Sequence, residues 1–343
     1  MRPSTWSVPP DRRQGPARPP RSGVSLMEVL ISIFVLSVGL LGLAALIPVG
    51  NYSVQETGKA DRAGMCGRAA IRDLKVRRLL EPAFWNDWHS NRNVLATGWA
   101  FALDPLGRNA GLQDLGPLPR LTIVWPGLPA DTQRAILESI FFWGDDLVFY
   151  LPQDPTLRPE GQFYQPNGRM TADPTAYPAN NRHYSWFVTL SPDPTELAAP
   201  PNQRTTYNAS VAVCYRRRLA RDAEQTANVV QWYGAGLGGG GALLDGALEL
   251  KPKDWIVICG QMVQGFGENM GQPRLFCNWY RVQSAEVVES GQNRRTMVAL
   301  AGPDWPRNNS GQPLQGAVAV VLRTVVGVYS TTVELDRNAA WLR

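Results

Sequence analysis

The chain has 343 residues, 44% of them hydrophobic, enough for a packed core and for more than one domain, which excludes a wholly disordered polymer. Its formal charge of +5 points towards nucleic acid only until it is divided. Arg2, Arg12, Arg13, Arg18 and Arg21 against Asp11 place +4 before residue 24, and Lys59, Arg62, Arg68, Arg72, Lys75, Arg77 and Arg78 against Asp61 and Asp73 add +5, so the remaining residues sum to −4 and no basic footprint for nucleic acid is left on the globular part.

Residues 1–22 hold six prolines and five arginines, a composition that builds no core and reads as an extended cytoplasmic leader. Next comes Gly23-Val24-Ser25-Leu26-Met27-Glu28, and then an apolar run from Val29 to Ile47 before Pro48 and Gly50. At about 1.5 Å per residue this run spans roughly 28 Å as a helix, close to the thickness of a bilayer's hydrocarbon. It is too long for the apolar part of a cleaved secretory signal, and the small-x-small triplet Gly42-Leu43-Ala44 lies inside the run.

Glu28 is the residue a plain membrane anchor would not carry. A carboxylate at the edge of an apolar helix costs free energy unless a cation meets it. Cutting the chain after Gly23 would create that cation, an α-amino group on Val24, four residues before Glu28 on a helix whose side chains lean towards the N-terminus. A basic leader, Gly, two apolar residues after a small hydroxyl residue, Glu and then a span resemble the processing motif of the type IV prepilin family, which includes type IV pilins and type II secretion pseudopilins. The resemblance implies cleavage between Gly23 and Val24 by a prepilin peptidase, N-methylation of Val24, which replaces the family's usual Phe, and a role in assembly for Glu28 as the fifth mature residue. It further implies other pilins or pseudopilins and an assembly platform as partners, and a single-pass protein of the bacterial inner membrane with its N-terminus in the cytoplasm. Pro48 lies near the proline that kinks many helices of the family.

Beyond the span, residues 51–81 lack proline and place Ala63, Cys66, Ala70, Leu74 and Val76 or Leu79 at mostly helical spacing. The helix is expected to continue to Pro82, with a bend or frayed turn at Gly58, Gly64 and Gly67. Residues 82–129 are rich in turn formers. Three stretches then alternate as strands: 146–151 (Asp-Leu-Val-Phe-Tyr-Leu), 184–190 (Tyr-Ser-Trp-Phe-Val-Thr-Leu) and 207–217, the last two as an antiparallel pair. After 221 a Gly-rich stretch at 234–241 precedes four further β-rich segments, 253–259, 276–288, 296–301 and 317–333, which are enough to close a separate compact module.

The four cysteines, Cys66, Cys214, Cys259 and Cys277, contain no C-x-x-C and suit neither a zinc site nor a disulfide framework. Cys259 and Cys277 can pair if their strands are neighbours in an oxidising compartment; otherwise all four are small buried apolar residues. Gly236, Gly238 and Gly241 satisfy G-x-G-x-x-G only because the stretch is nearly all glycine, and no long helix follows. His89 and His183 belong to no metal motif, and no G-x-S-x-G elbow is present. The tryptophans, Trp85, Trp143, Trp186, Trp232, Trp279 and Trp305 among them, suit core packing as well as a ligand surface.

The expected architecture is therefore α+β: a long N-terminal helix, membrane-spanning in its first half, packed on an antiparallel sheet, with an added C-terminal β-rich region. The divisions are a leader at 1–23, the helix at 24–81, a pilin-like region at 82–220 and the β-rich region at 221–343. The expected function is that of a minor structural subunit of an envelope filament or pseudopilus, with no cofactor and no catalysis of its own. The alternative is a membrane-anchored periplasmic binding module that does not assemble.

Overall fold

The computed structural model describes residues 23, 25–86, 100–143, 147–150, 160–164, 170–171, 183–193, 206–234, 236–263, 273–290, 293–305 and 316–335. In chain order the elements are α1 (Leu26–Val76), β1 (Trp85–Asn86), β2 (Phe101–Leu103), α2 (Pro105–Asn109), β3 (Arg120–Ile123), α3 (Ala130–Phe141), β4 (Leu147–Tyr150), β5 (Glu160–Tyr164), β6 (Met170–Thr171), β7 (Tyr184–Pro192), β8 (Thr206–Tyr215), β9 (Glu224–Tyr233), β10 (Gly239–Asp245), β11 (Trp255–Val263), β12 (Pro273–Ser290), β13 (Asn293–Ala301), β14 (Val318–Leu322) and β15 (Val325–Glu334). The class is α+β. The chain divides into two compact units, Met1–Thr57 and Gly58–Arg343.

In the first unit α1 begins behind Ser25, whose hydroxyl accepts from the Met27 amide at 3.3 Å and whose carbonyl accepts from the amides of Glu28 and Val29 at 3.0 and 3.2 Å. This is the way a serine closes the free amides of a first turn. The helix is then apolar all round, with Leu30, Phe34 and Leu41 among the exposed side chains, and its most apolar window has a mean hydropathy of 2.7. Among the described residues it is the one helix long and apolar enough to cross a membrane. The hydroxyls of Ser32 and Ser37 donate back to the carbonyls of Glu28 and Ile33 at 2.7 Å each, so neither needs water. Pro48 lies within the helix, which runs on beyond it.

In the second unit the last part of α1 buries Ala63, Cys66, Gly67, Ala70 and Leu74, one stripe at steps of three and four. The glycines expected to loosen this stretch leave the helix unbroken, and Gly67 is a contact position: a Cβ there would lie 2.6 Å from ring carbons of Tyr329 on β15. Because Tyr329 Cγ is among the atoms met, relief requires the whole ring to turn away. Gly67→Ala gains about 1 kcal/mol of helix propensity but forces an overlap that costs about 1–3 kcal/mol. It is therefore expected to lower the melting temperature of the purified chain, whereas Gly64→Ala, whose Cβ meets only Arg68 Nη1 at 3.5 Å and the Tyr329 hydroxyl at 3.6 Å, leaves it unchanged or raises it. A Gly67→Ala protein that melts no lower than wild type would refute this contact.

The helix ends at Val76, several residues before Pro82. Arg78 takes a left-handed conformation with φ of 56°, the Leu79 amide donates to the Leu74 carbonyl at 3.1 Å and the Arg78 amide to Lys75 at 3.4 Å. This double closure, with Leu74 and Leu79 in one apolar core, terminates a helix without any proline. The expected end at 81 is corrected accordingly.

The central sheet has the order β1-β3-β2-β7-β8-β15. It is mixed and not purely antiparallel, because β2 and β3 run parallel, joined by a crossover through α2. The pairing of β7 with β8 is antiparallel, from Tyr184 opposite Tyr215 to Pro192 opposite Tyr207. Strand side chains alternate between faces. Phe101, Leu103, Tyr184, Trp186, Val188, Val211 and Val213 join the α1 stripe and Phe141 of α3 in one core. Ala100, Ala102, Phe187, Ala212 and Cys214 face the other way, into a second core.

That second core is completed by a closed barrel of order β10-β13-β12-β11-β14-β9. Ile256, Ile258, Phe276, Tyr280, Ala319 and Val321 fill its interior, while the alternate residues Val257, Cys259, Leu275, Cys277, Trp279 and Val320 form the wall against the sheet. Three of its strands are thus apolar on both faces. The expected region 221–343 is not one unit: β15 leaves the barrel after Leu322 and pairs with β8 as the last strand of the central sheet. The barrel is an insertion between β8 and β15. β4, β5 and β6 form a separate three-stranded antiparallel sheet.

Candidate functional site

Of the residues expected to act at the N-terminus, Gly23 is exposed, with open space around the position a Cβ would take. Val24 lies outside the described residues. Glu28 stands in the first turn of α1, exposed. It is the only charged residue between Arg21 and Glu56, and among the described residues its carboxylate has no ion-pair or hydrogen-bond partner. A helix N-terminus favours an acidic first-turn residue by about 0.3–1 kcal/mol when exposed, which does not cover the cost of placing it in a membrane.

Cys259 and Cys277 stand directly opposite each other on β11 and β12; Cys66 and Cys214 lie elsewhere, and all four are buried. His183 stacks on Tyr215 with centroids 5.8 Å apart and accepts from Arg216 Nε at 3.3 Å. His89 lies outside the described residues. Among the described residues no group of three His, Cys, Asp or Glu side chains gathers to hold a metal. The glycine stretch forms the turn into β10, with positive φ at Gly238, Gly239 and Gly240, and no helix follows. The tryptophans among the described residues pack in or against the cores: the Trp186 indole donates to the Ile140 carbonyl at 2.9 Å and the Trp279 indole to the Thr189 hydroxyl at 2.8 Å.

The polar centre that sequence reasoning does not identify sits where the barrel joins the sheet. Asp104, at the end of β2, caps α2 by accepting from the Gly107 amide at 3.0 Å. It also takes a two-pronged contact from Arg217, at 2.8 and 2.5 Å, and an ion pair from Arg120 Nη1 at 3.0 Å. Arg120 on β3 donates through Nη2 to both oxygens of Glu224 at 2.8 and 2.7 Å, and Glu224 is the first residue of the barrel. The Arg217 guanidinium also covers the Phe187 ring at 4.7 Å.

Two guanidinium groups and two carboxylates thus form a neutral, enclosed set in which Asp104 and Arg120 are 1% and 0% exposed. Burial alone would raise the Asp104 pKa, but Arg217, then Arg120, and the hydrogen bonds from Arg217 and Gly107 outweigh it and hold the carboxyl at about 2. Burial works against the Arg217 charge in the same way, and Asp104 raises its pKa above the ordinary arginine value. The buried Cys214 thiol beside them is pushed up to about 11, chiefly by burial. Each guanidinium meets both carboxylates, Arg120 Nε is left without a hydrogen-bond partner and the Glu224 side chain is 14% exposed; paired in this way, the centre fastens the inserted barrel and has the character of a structural joint. Gly107 makes room for it, since a Cβ there would lie 2.9 Å from Asp104 Cγ.

A cleft of about 460 Å³ in the barrel is lined by Thr226, Ala227, Asn228, Asp245, Gly246, Arg294 and Val318. It opens where β9 and β10 part beyond the pair Leu244 and Val229. Comparisons with protein-family models and with curated proteins find no match for the chain.

Proposed function

We propose that the chain is a type IV pilin-like prepilin, a minor structural subunit of an envelope filament or pseudopilus. In this reading a prepilin peptidase cuts between Gly23 and Val24, Val24 is N-methylated, and the mature helix is anchored in the inner membrane. The observation that carries the reading is Glu28. The stretch of the helix before Glu56 bears one carboxylate, in its first turn and without a partner among the described residues, at the distance from Gly23 where a freed α-amino group on Val24 could answer it. A helix that continues from this span to pack on a sheet through Ala63, Cys66, Ala70 and Leu74 fits a subunit whose globular part is fastened to its own bundle-forming helix.

The decisive measurement is mass spectrometry of the native N-terminal peptide from membranes. The expected terminus is a monomethylated Val24; a terminus at Met1, or one within 42–45, would overturn the reading. The polar cleft at Asn228, Asp245 and Arg294 favours the second reading, an anchored binding module that does not assemble, and that reading expects no terminus at Val24.

A further inference from the structure

Cys259 and Cys277 are exact partners in the register of β11 and β12. In an antiparallel ladder, opposed residues alternate between pairs that exchange amide hydrogen bonds and pairs that do not, and in the second kind the Cα atoms come to about 4.5 Å with the side chains closer. The ladder shows which kind this is. Both polar groups of Val282 point to the β11 side, the amide donating to the Asp254 carbonyl at 2.8 Å and the carbonyl accepting from Lys253 at 2.8 Å, so 254 and 282 lie in the bonded phase of the ladder. Stepping two residues at a time makes 256/280 and 258/278 bonded rungs, and leaves 257/279 and 259/277 unbonded.

Two contacts on the far side of β12 agree. The Cys277 amide points away from β11, donating to the Ser191 hydroxyl at 3.4 Å, and the Leu275 carbonyl points the same way, accepting from Ala100 at 2.8 Å. Both cysteine side chains lie on the barrel wall that meets the sheet, in a single core with Phe187 and Val257. An unbonded rung brings the Cα atoms within the range of about 4.4–6.8 Å that a disulfide spans.

We infer that Cys259 and Cys277 form a cross-strand disulfide that staples β11 to β12 on the barrel wall facing the central sheet. The two thiols are 1% and 5% exposed in the folded chain, and burial pushes the Cys277 thiol up to about 12, so neither is a nucleophile once the wall has closed. The bond therefore forms before the barrel docks. One cysteine thiolate attacks a disulfide-bearing oxidant and displaces one of its sulfurs; the second attacks the mixed disulfide, the protein S–S bond forms, and the oxidant leaves as a dithiol. Two electrons pass to the oxidant, whose two sulfurs take up the two protons lost by the cysteines. The presence of such an oxidant rests on the proposed function, which places this unit outside the cytoplasm.

The test uses the full chain from its native membrane, denatured in excess iodoacetamide without reductant and digested for mass spectrometry. The expected result is a linked peptide pair joining Cys259 to Cys277, with Cys66 and Cys214 fully alkylated, and full labelling of Cys277 in a Cys259→Ser variant. Alkylation of both Cys259 and Cys277 in the wild type, or linkage of either to another cysteine, overturns the inference. The same digest reports the N-terminus, so a linked pair in a chain that still begins at Met1 would discard the prepilin reading and keep the disulfide.

Discussion

Asp104→Asn is expected to destabilise the second unit by about 3–5 kcal/mol, the range found when one partner of a buried ion pair is removed. The substitution keeps the volume and a side-chain oxygen able to cap α2, so the loss isolates the charge. Arg217 and Arg120, at 3% and 0% side-chain exposure, would be left to share Glu224, and an amide nitrogen would replace one of the oxygens they contact. Against a total stability of about 5–15 kcal/mol for a domain, that is a large fraction.

The pH dependence gives a second readout. A carboxyl held at about 2 when folded and titrating at its ordinary value of 3.8 when unfolded contributes stability that is complete above the unfolded value and lost as pH falls through the folded one. The contribution is about 2 kcal/mol. Wild-type stability should therefore decline between about pH 4 and pH 2, and Asp104→Asn should lack this component. A second substitution, Arg217→Met, should recover part of the loss, because it removes the uncompensated charge along with its lost partner. Denaturant titrations of the purified chain decide the matter; an Asp104→Asn protein within about 1 kcal/mol of wild type would mean that the four charges hold nothing together.

Glu28→Ala is expected to leave cleavage and membrane insertion intact and to remove the protein from filaments. Taking a carboxylate out of an apolar span makes insertion easier, by at most about 2.5–3.5 kcal/mol. Assembly is the opposite case. On the prepilin reading the Glu28 carboxylate meets the α-amino group on Val24 of a neighbouring subunit within a bundle of helices, and deleting one partner of such a pair costs about 3 kcal/mol or more. That corresponds to roughly a hundredfold fall in incorporation. Fractionating cells that express the variant and comparing membrane and sheared-filament pools tests this; equal incorporation of variant and wild type would make Glu28 incidental and favour the anchored binding module.

The sequence by itself determined the features that depend on neighbours along the chain. The helix from Leu26, its apolar first part and the isolated Glu28 follow from a periodicity and a run length that can be counted, because α-helical hydrogen bonds close within four residues. The antiparallel pair of β7 and β8 is similarly visible in two alternating stretches of similar length. Even the opposition of Cys259 and Cys277 is accessible as a possibility, since β11 and β12 are consecutive strands.

Tertiary structure alone decided the rest. The stretch read as one β-rich segment at 317–333 is two strands in two different layers, divided at Arg323 and Thr324, and no local pattern says which sheet a β-branched run will join. Gly67 reads as a weak point in a helix until Tyr329, on the last strand of the sheet, occupies the space its missing side chain leaves. Asp104 lies in a stretch legible only as rich in turn formers, and Arg217 closes the strand read at 207–217. They meet across 113 residues of sequence, and Arg120 reaches Glu224 across 104. Charges so far apart in sequence carry no mutual signature, because what selects them is the desolvation they share once the barrel closes against the sheet.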